Sequence, residues 1–166
     1  MGAAGGGQRL LAGDRLAGPV AQRAVPAAAP RQAPSWCYGT PGIARSLQLA
    51  ALACQRPTTQ RLAEDALASC SADPEQLARL HDATVCHGWA GLCLALHRAA
   101  SDAGPDSVLH QHWATAQARL TALVQRSAPP PAAGFLTGAD GILLALHTLT
   151  PARSVSPGWD ARLLLT

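Results

Sequence analysis

Three side chains in this sequence have the types and the spacing to hold a metal ion. Cys37 and Cys86 each stand two residues before a glycine that opens an apolar run, Gly39 and Gly88, and His87 follows Cys86 directly. Two thiols and an imidazole at the starts of neighbouring helices suit zinc, whose borderline-soft character favours sulfur and nitrogen donors. Helix N-termini carry partial positive charge, which favours the thiolate form that a metal requires. Three protein ligands leave the fourth position open, the arrangement of catalytic rather than structural zinc. A thiol arriving there would be activated as a nucleophile. An isolated cysteine is most often a small buried hydrophobe. Two at equivalent positions, one beside a histidine, point the other way. Cys54, Cys70 and Cys93 show no such coincidence and are expected as core or helix-end thiols.

The rest of the chain must bring residues 37 and 86 together, and it does so by repeating itself. Cys37-Tyr38-Gly39-Thr40-Pro41-Gly42-Ile43, Cys86-His87-Gly88-Trp89-Ala90-Gly91-Leu92 and Leu136-Thr137-Gly138-Ala139-Asp140-Gly141-Ile142 each open an apolar helical run. Their first glycines fall at intervals of 49 and 50 residues, a period that signals a repeat architecture. Inner helices are expected over Ala44–Leu52, Cys93–Ala100 and Leu143–Leu149. More polar outer helices are expected over Thr58–Ser69 and Gln111–Arg126, where Trp113, Ala116, Leu120 and Val124 recur at helical spacing.

One hairpin cannot bury its own apolar face, so hairpins stack, and the glycine turns line one rim. The third unit carries Leu136 at the cysteine position, so the turn itself does not demand a thiol. His97 and His147 share a repeat position with Gln48, which reads as a polar helix-packing site. His81, His110 and His112 are expected at the surface near helix ends.

Composition narrows the class. The 166 residues are 48% hydrophobic but include only one Phe, one Tyr and four Trp, so the core must be mostly Leu and Ala, and the fold all-α. All 13 basic residues are Arg, and the net charge of +3 is too small and dispersed to imply nucleic acid. No run approaches the roughly 18 apolar residues of a membrane span. Five cysteines, an odd number without a secretory segment before them, favour a reducing, cytoplasmic setting. Residues 1–34, rich in Gly, Ala and Pro, read as a disordered tail with a short helix near Gln8–Leu16, and residues 35–166 as the folded part. Pro129-Pro130-Pro131 reads as a rigid connection.

Trp36-Cys37-Tyr38-Gly39-x-x-Gly42-Ile43, Cys86-His87-Gly88-x-x-Gly91-Leu92 and Gly134-Phe135-x-x-Gly138-x-x-Gly141 resemble the C-terminal motifs of the lanthionine synthetase C-like cyclases. The likeness runs from about residue 35 to the ending Gly158-Trp159-Asp160. It implies an α/α toroid of seven helical hairpins around a zinc, of which this chain holds about three. It implies Cys37, Cys86 and His87 as zinc ligands. The implied reaction is addition of a peptide cysteine thiol to dehydroalanine or dehydrobutyrine, closing thioether rings in a lantibiotic precursor. The implied partners are that dehydrated precursor peptide and a separate chain carrying the missing N-terminal repeats, or a dehydratase.

The enolate formed in such an addition needs charge stabilisation and then a proton. The resemblance assigns those tasks to a His and an Asp of earlier repeats and to an Arg just before the first motif. The sequence departs there: the His and Asp have no counterpart, Ala33 stands where the Arg is expected, and Arg31 is out of register. A non-catalytic zinc- or peptide-binding remnant is therefore the alternative reading. A toroidal prenyltransferase would need a carboxylate ligand, yet Thr84, not Asp, stands two residues before Cys86. A glycosidase would need a second carboxylate to pair with Asp140.

Overall fold

The computed structural model describes residues 33–128, 130, 132–150 and 158–166. The expected tail up to residue 32, its short helix, Arg31 and two of the three prolines at 129–131 lie outside the described residues. Those described form an all-α structure. Helix α1 (Thr40–Ala53) pairs with α2 (Pro57–Ala72), and α4 (Trp89–Ala103) pairs with α5 (Leu109–Arg126). A single turn, α3 (Pro74–Leu77), follows α2, and α6 (Ala139–Thr148) opens after the third glycine turn. The inner helices lie side by side, α1 on α4 and α4 on α6, while the outer helices α2 and α5 touch each other.

The five inner and outer helices expected after residue 40 are present, each a few residues longer than its apolar pattern. Propensity and amphipathic spacing report the helix interior, whereas ends are set by caps and contacts. Pro57 and Pro74 sit in the first turns of α2 and α3, where a missing N–H costs nothing. Asp73 caps α3, its Oδ1 accepting from the amides of Glu75 at 2.9 Å and Gln76 at 3.4 Å.

The three inner helices begin differently. Gly39, Gly88 and Gly138 are their N-caps, and no side chain caps them. Backbone carbonyls of the preceding turn take that part: the Trp89 amide donates to Asp82 O at 3.0 Å and the Ala139 amide to Ala132 O at 3.1 Å. The glycines are needed for space rather than for conformational freedom, since the φ values of the three caps are −93°, −112° and −113°. A Cβ on Gly42, Gly91 or Gly141 would overlap the carbonyl oxygen of the residue six earlier, Trp36, Val85 or Phe135. The turn is folded back against the helix start, and only hydrogen fits between.

The core is the Leu–Ala interior expected from composition. α4, the middle inner helix, is buried along most of its length, with Leu92, Leu94, Leu96 and Ala95 all enclosed. The last residues, 158–166, form a 3-10 turn (Asp160–Leu163) and bind every unit. Trp36 Nε1 donates to Leu163 O at 2.9 Å and Arg45 Nε to Leu165 O at 2.8 Å. Arg98 pairs with the fully buried Asp160 at 2.6 Å, and Trp159 Nε1 donates to Thr148 Oγ1 at 2.9 Å.

The glycines of the motifs are therefore not equivalent, because the nearest atom to a Cβ built on Gly134 is an ordinary 3.7 Å away. Gly91→Ala is expected to cost on the order of 3 kcal/mol, and Gly134→Ala less than about 1 kcal/mol. Urea unfolding of the two variants checks this, and equal losses would contradict the packing described.

Candidate metal centre

The glycine turns decide where the thiols go. Residues 36–38 and 85–87 are the turns that fold back over the starts of α1 and α4. The residue before each cysteine position is wedged against the next unit. Trp36 Cβ lies 3.0 Å from a Cβ built on Gly91, and Val85 Cγ2 lies 3.1 Å from one on Gly141. Neighbouring turns thus sit in register, and Cys37 of the first meets Cys86 and His87 of the second. The Cys86 amide in turn donates to Leu136 O at 2.9 Å. Leu136 holds the repeat position of the two cysteines, so the third turn braces the second without adding a donor.

Cys37 Sγ lies 3.3 Å and Cys86 Sγ 3.9 Å from His87 Nε2, and the three atoms are all within 4.8 Å of one another. Tetrahedral zinc with ordinary bond lengths places S and N ligands about 3.6 Å apart and two S ligands about 3.8 Å apart. The two S–N separations bracket the first of those values and the two sulfurs lie within 4.8 Å of each other, so the donor set fits a single ion. Among the described residues, no other group of three His, Cys, Asp or Glu converges in this way. Cys37 and His87 are exposed and Cys86 is 9% exposed, so one side of the cluster faces solvent. The Tyr38 ring packs against the His87 ring, centroids 5.1 Å apart, and limits the imidazole's orientation. Cys37 Sγ also lies 3.9 Å from the buried Ser35 Oγ.

Without a cation the Cys86 thiol resists ionisation. Burial, then the hydrogen bond and charge of Cys37, then the Asp82 carboxylate push the Cys86 thiol up to about 11. A bound divalent cation reverses that balance, because it stabilises the thiolate directly.

The other cysteines lie elsewhere. Cys54 is exposed at the end of α1, Cys70 is buried in α2, and Cys93 is buried in α4. The shared position of Gln48, His97 and His147 spans from inner to outer helix in the first two units. Gln48 Nε2 donates to Glu64 Oε1 of α2 at 2.8 Å, and the His97 ring packs on Trp113 of α5 at 4.8 Å. Burial, with Arg98 adding to it, lowers the His97 pKa, so the ring is neutral. His81 is exposed as expected, whereas His110 and His112 are half-buried in the first turn of α5, His110 Nε2 lying 3.1 Å from Gly104 O. Asp140 is exposed at the start of α6.

Sequence reading missed Arg45, Asp102 and Asp160. Arg45 is buried on an inner helix and pairs with Asp102 at 2.6 Å. Burial lowers its pKa and Asp102 opposes the shift. Its only sequence signal was an arginine on the apolar face of a helix.

Two predictions follow from this geometry. Cys37→Ala, Cys86→Ala and His87→Ala should each weaken binding of one zinc per chain sharply, while Cys54→Ala, Cys70→Ala and Cys93→Ala leave it intact. Metal analysis finding full zinc in Cys86→Ala would refute the assignment. The second prediction concerns pH. Burial, aided by Asp73 and opposed by Thr40, raises the Cys70 thiol from an ordinary 9.0 to about 11, and burial raises Cys93 further. Both stay protonated in the fold and ionise once unfolded. Stability of the chelator-treated chain is thus fully present below about pH 9 and declines as pH rises toward 11. A denaturation midpoint flat over that window in both wild type and Cys93→Ala would contradict it.

No helix among the described residues is long and apolar enough to cross a membrane. A search among curated proteins finds no match. The sequence profile described as lanthionine synthetase C-like protein matches residues 22–161. With that match spanning most of the chain, and the Cys/Cys/His cluster lying on its glycine turns, the chain belongs to the lanthionine synthetase C-like family.

Proposed function

We propose that this chain is a zinc- and peptide-thiol-binding part of a lanthionine synthetase C-like protein that does not close thioether rings by itself. The observation that carries this reading is the convergence of Cys37, Cys86 and His87, from two successive glycine turns, with one side open to solvent. Its hairpins are read as an arc of an α/α toroid, about three of seven repeats.

Zinc bound there supplies a Lewis acid that holds an incoming thiol as thiolate at neutral pH. With the ion bound, Cys37 and Cys86 would hold it as thiolates whose two charges balance the dication, and His87 would complete the set as a nitrogen donor. Tyr38 fixes the imidazole, and the Cys86–Leu136 hydrogen bond fixes the second thiol. The exposed side gives a peptide cysteine access.

Ring closure asks for more. The enolate that develops as a thiolate adds to a dehydro amino acid needs a cationic or hydrogen-bond-donating neighbour and a proton source. Asp82, whose charge is felt at Cys86, has the wrong sign for that task. The groups expected to serve come from earlier repeats in the family. A second reading follows from family membership: ring formation when those repeats are supplied as a separate chain, with a dehydrated lantibiotic precursor as substrate and a dehydratase acting upstream. An odd number of cysteines and a need for free thiolates fit a reducing, cytoplasmic compartment.

Cobalt(II) substitution tests the binding reading without asking for turnover. Titration with a cysteine-containing peptide should raise the sulfur-to-cobalt charge-transfer band by about half as thiolate ligands go from two to three. The serine analogue of the peptide should leave the band unchanged. No rise with the cysteine peptide would sink the proposal. Mass spectrometry after thiol alkylation should find the cysteines of a dehydrated precursor still free after incubation with this chain. Complete, zinc-dependent protection would establish the cyclase reading in its place.

A further inference from the structure

The Cys/Cys/His cluster has a polar neighbour outside its ligand set. Ser35 is fully buried, and both of its backbone groups are tied into the first turn. Its amide donates to Ala33 O at 2.7 Å, and its carbonyl accepts from the Gly39 amide at 3.1 Å. A Cβ on Gly39 would overlap the Ser35 backbone, so the close approach that folds the turn also fixes where this side chain starts. Among the described residues the hydroxyl has one partner, Cys37 Sγ at 3.9 Å, and there the thiol is the donor. A hydroxyl also carries a proton of its own. That proton meets no acceptor among the described residues, and burial withholds bulk water from it.

The other two turns show what can stand at this position. Thr84 lies two residues before Cys86, as Ser35 does before Cys37, and Gly134 lies two before Leu136. A hydroxyl thus accompanies each thiol, and the turn without a thiol has none. The two hydroxyls are placed differently. Thr84 Oγ1 donates to Asp82 Oδ1 at 2.7 Å, an oxygen that also accepts the Thr84 amide at 2.8 Å. In the first turn Ala33 stands in the place of Asp82, so no carboxylate competes for the Ser35 proton.

We propose that Ser35 is a positioning residue for the metal: with an ion bound, its hydroxyl donates to the Cys37 thiolate. The inference rests on the metal reading of the cluster. Cys37 must lose its proton to solvent to become a ligand, because the thiolate is the ligating form. Its sulfur then has lone pairs and no hydrogen, and the direction of the Ser35–Cys37 contact reverses. The buried hydroxyl gains the acceptor it lacks. A bond to a charged sulfur is also shorter and stronger than one to a neutral thiol. Metal uptake and satisfaction of a buried donor are therefore one event. The two thiolates become unequal as a result. Cys37 shares charge with a hydroxyl, whereas Thr84 is held by Asp82 and leaves Cys86 without one.

Two substitutions test this, and the turns themselves say that both are tolerated. Ser35→Ala removes the hydroxyl at a position where the third turn has Gly134, and a Cβ there meets nothing nearer than 3.7 Å. Ser35→Thr keeps the hydroxyl at a position where Thr84 is buried in the second turn. Zinc affinity is measured by competition with a chromogenic chelator at one pH. Ser35→Ala should weaken it about 10- to 100-fold, the usual loss when a group bonded to a metal ligand is removed. Ser35→Thr should recover most of that loss. With cobalt(II) in place of zinc, the sulfur-to-metal charge-transfer band of Ser35→Ala should move to lower energy. A thiolate deprived of its hydrogen bond gives up an electron more readily, so this readout follows the sulfur rather than the turn. Circular dichroism of the metal-free variants should match wild type. If Ser35→Ala loses helix, Ser35→Gly, with the residue of the third turn, takes its place.

Equal zinc affinity in wild type and Ser35→Ala would overturn the proposal and leave the metal reading standing. So would a weakened Ser35→Ala whose cobalt band stays in place, since Ser35 would then serve only the packing of the turn. A wild-type chain that takes up neither ion would overturn both.

Discussion

At each paired glycine of the inner helices, a backbone carbonyl oxygen occupies the space where a Cβ would stand. That contact folds the preceding segment over the helix start, lets its carbonyls cap the exposed amides, and holds the next few residues at the rim. Whatever stands two residues before the first glycine is then presented at the same height in every unit. In two units it is a thiol. The wedging of Trp36 and Val85 against the following unit's glycine sets the lateral spacing, so that sulfur and nitrogen atoms of adjacent turns reach one another. The Cys/Cys/His cluster is thus a product of repetition. No loop is specialised to build it, and the turn that lacks a thiol still contributes through the carbonyl of Leu136.

Much of this could be read from the chain before any coordinates. The Gly-x-x-Gly pairs at regular intervals announced the units, and apolar spacing located five of the helices. The cysteine–histidine coincidence identified the cluster, because a repeat turns sequence position into spatial position. Other features were hidden for physical reasons. The single turn α3 is too short to show periodicity, and its cap by Asp73 looks like any Asp-Pro turn. The burial of Arg45 depends on Asp102, 57 residues away, and on the carbonyl of Leu165. No local pattern encodes a partnership at that distance. The glycines were legible as small residues, but the reason for them, space rather than an unusual backbone conformation, needed the carbonyls to be placed.

Polar groups inside the stack follow a rule of their own. Gln48 and His97 occupy one repeat position and both reach toward their outer helix, yet one does so by hydrogen bonds and the other by ring packing. The fold conserves the direction of the side chain and leaves the chemistry open. Arg45 and Asp160 are costlier, as buried charges are. Each is bound by a salt bridge, and Arg45 gains a carbonyl and Gln48 as well. Such groups tolerate few alternative packings, which gives an otherwise uniform Leu–Ala core a single arrangement.

The final segment changes how the whole molecule must fold. A stack of repeats has mostly local contacts, can form unit by unit, and can fray from either end. Here the indole of Trp36 and the guanidinium of Arg45 are satisfied by carbonyls 127 and 120 residues further along the chain. Asp160 and Trp159 engage the second and third units within the same few residues. Those links raise the contact order well above that of a simple helical array, and closing them carries the entropic penalty of a loop as long as the domain. Folding should accordingly be slower and more nearly all-or-none than stacking alone would give. The first unit, which carries one of the two thiols, reaches its final packing only when the last residues of the chain have arrived.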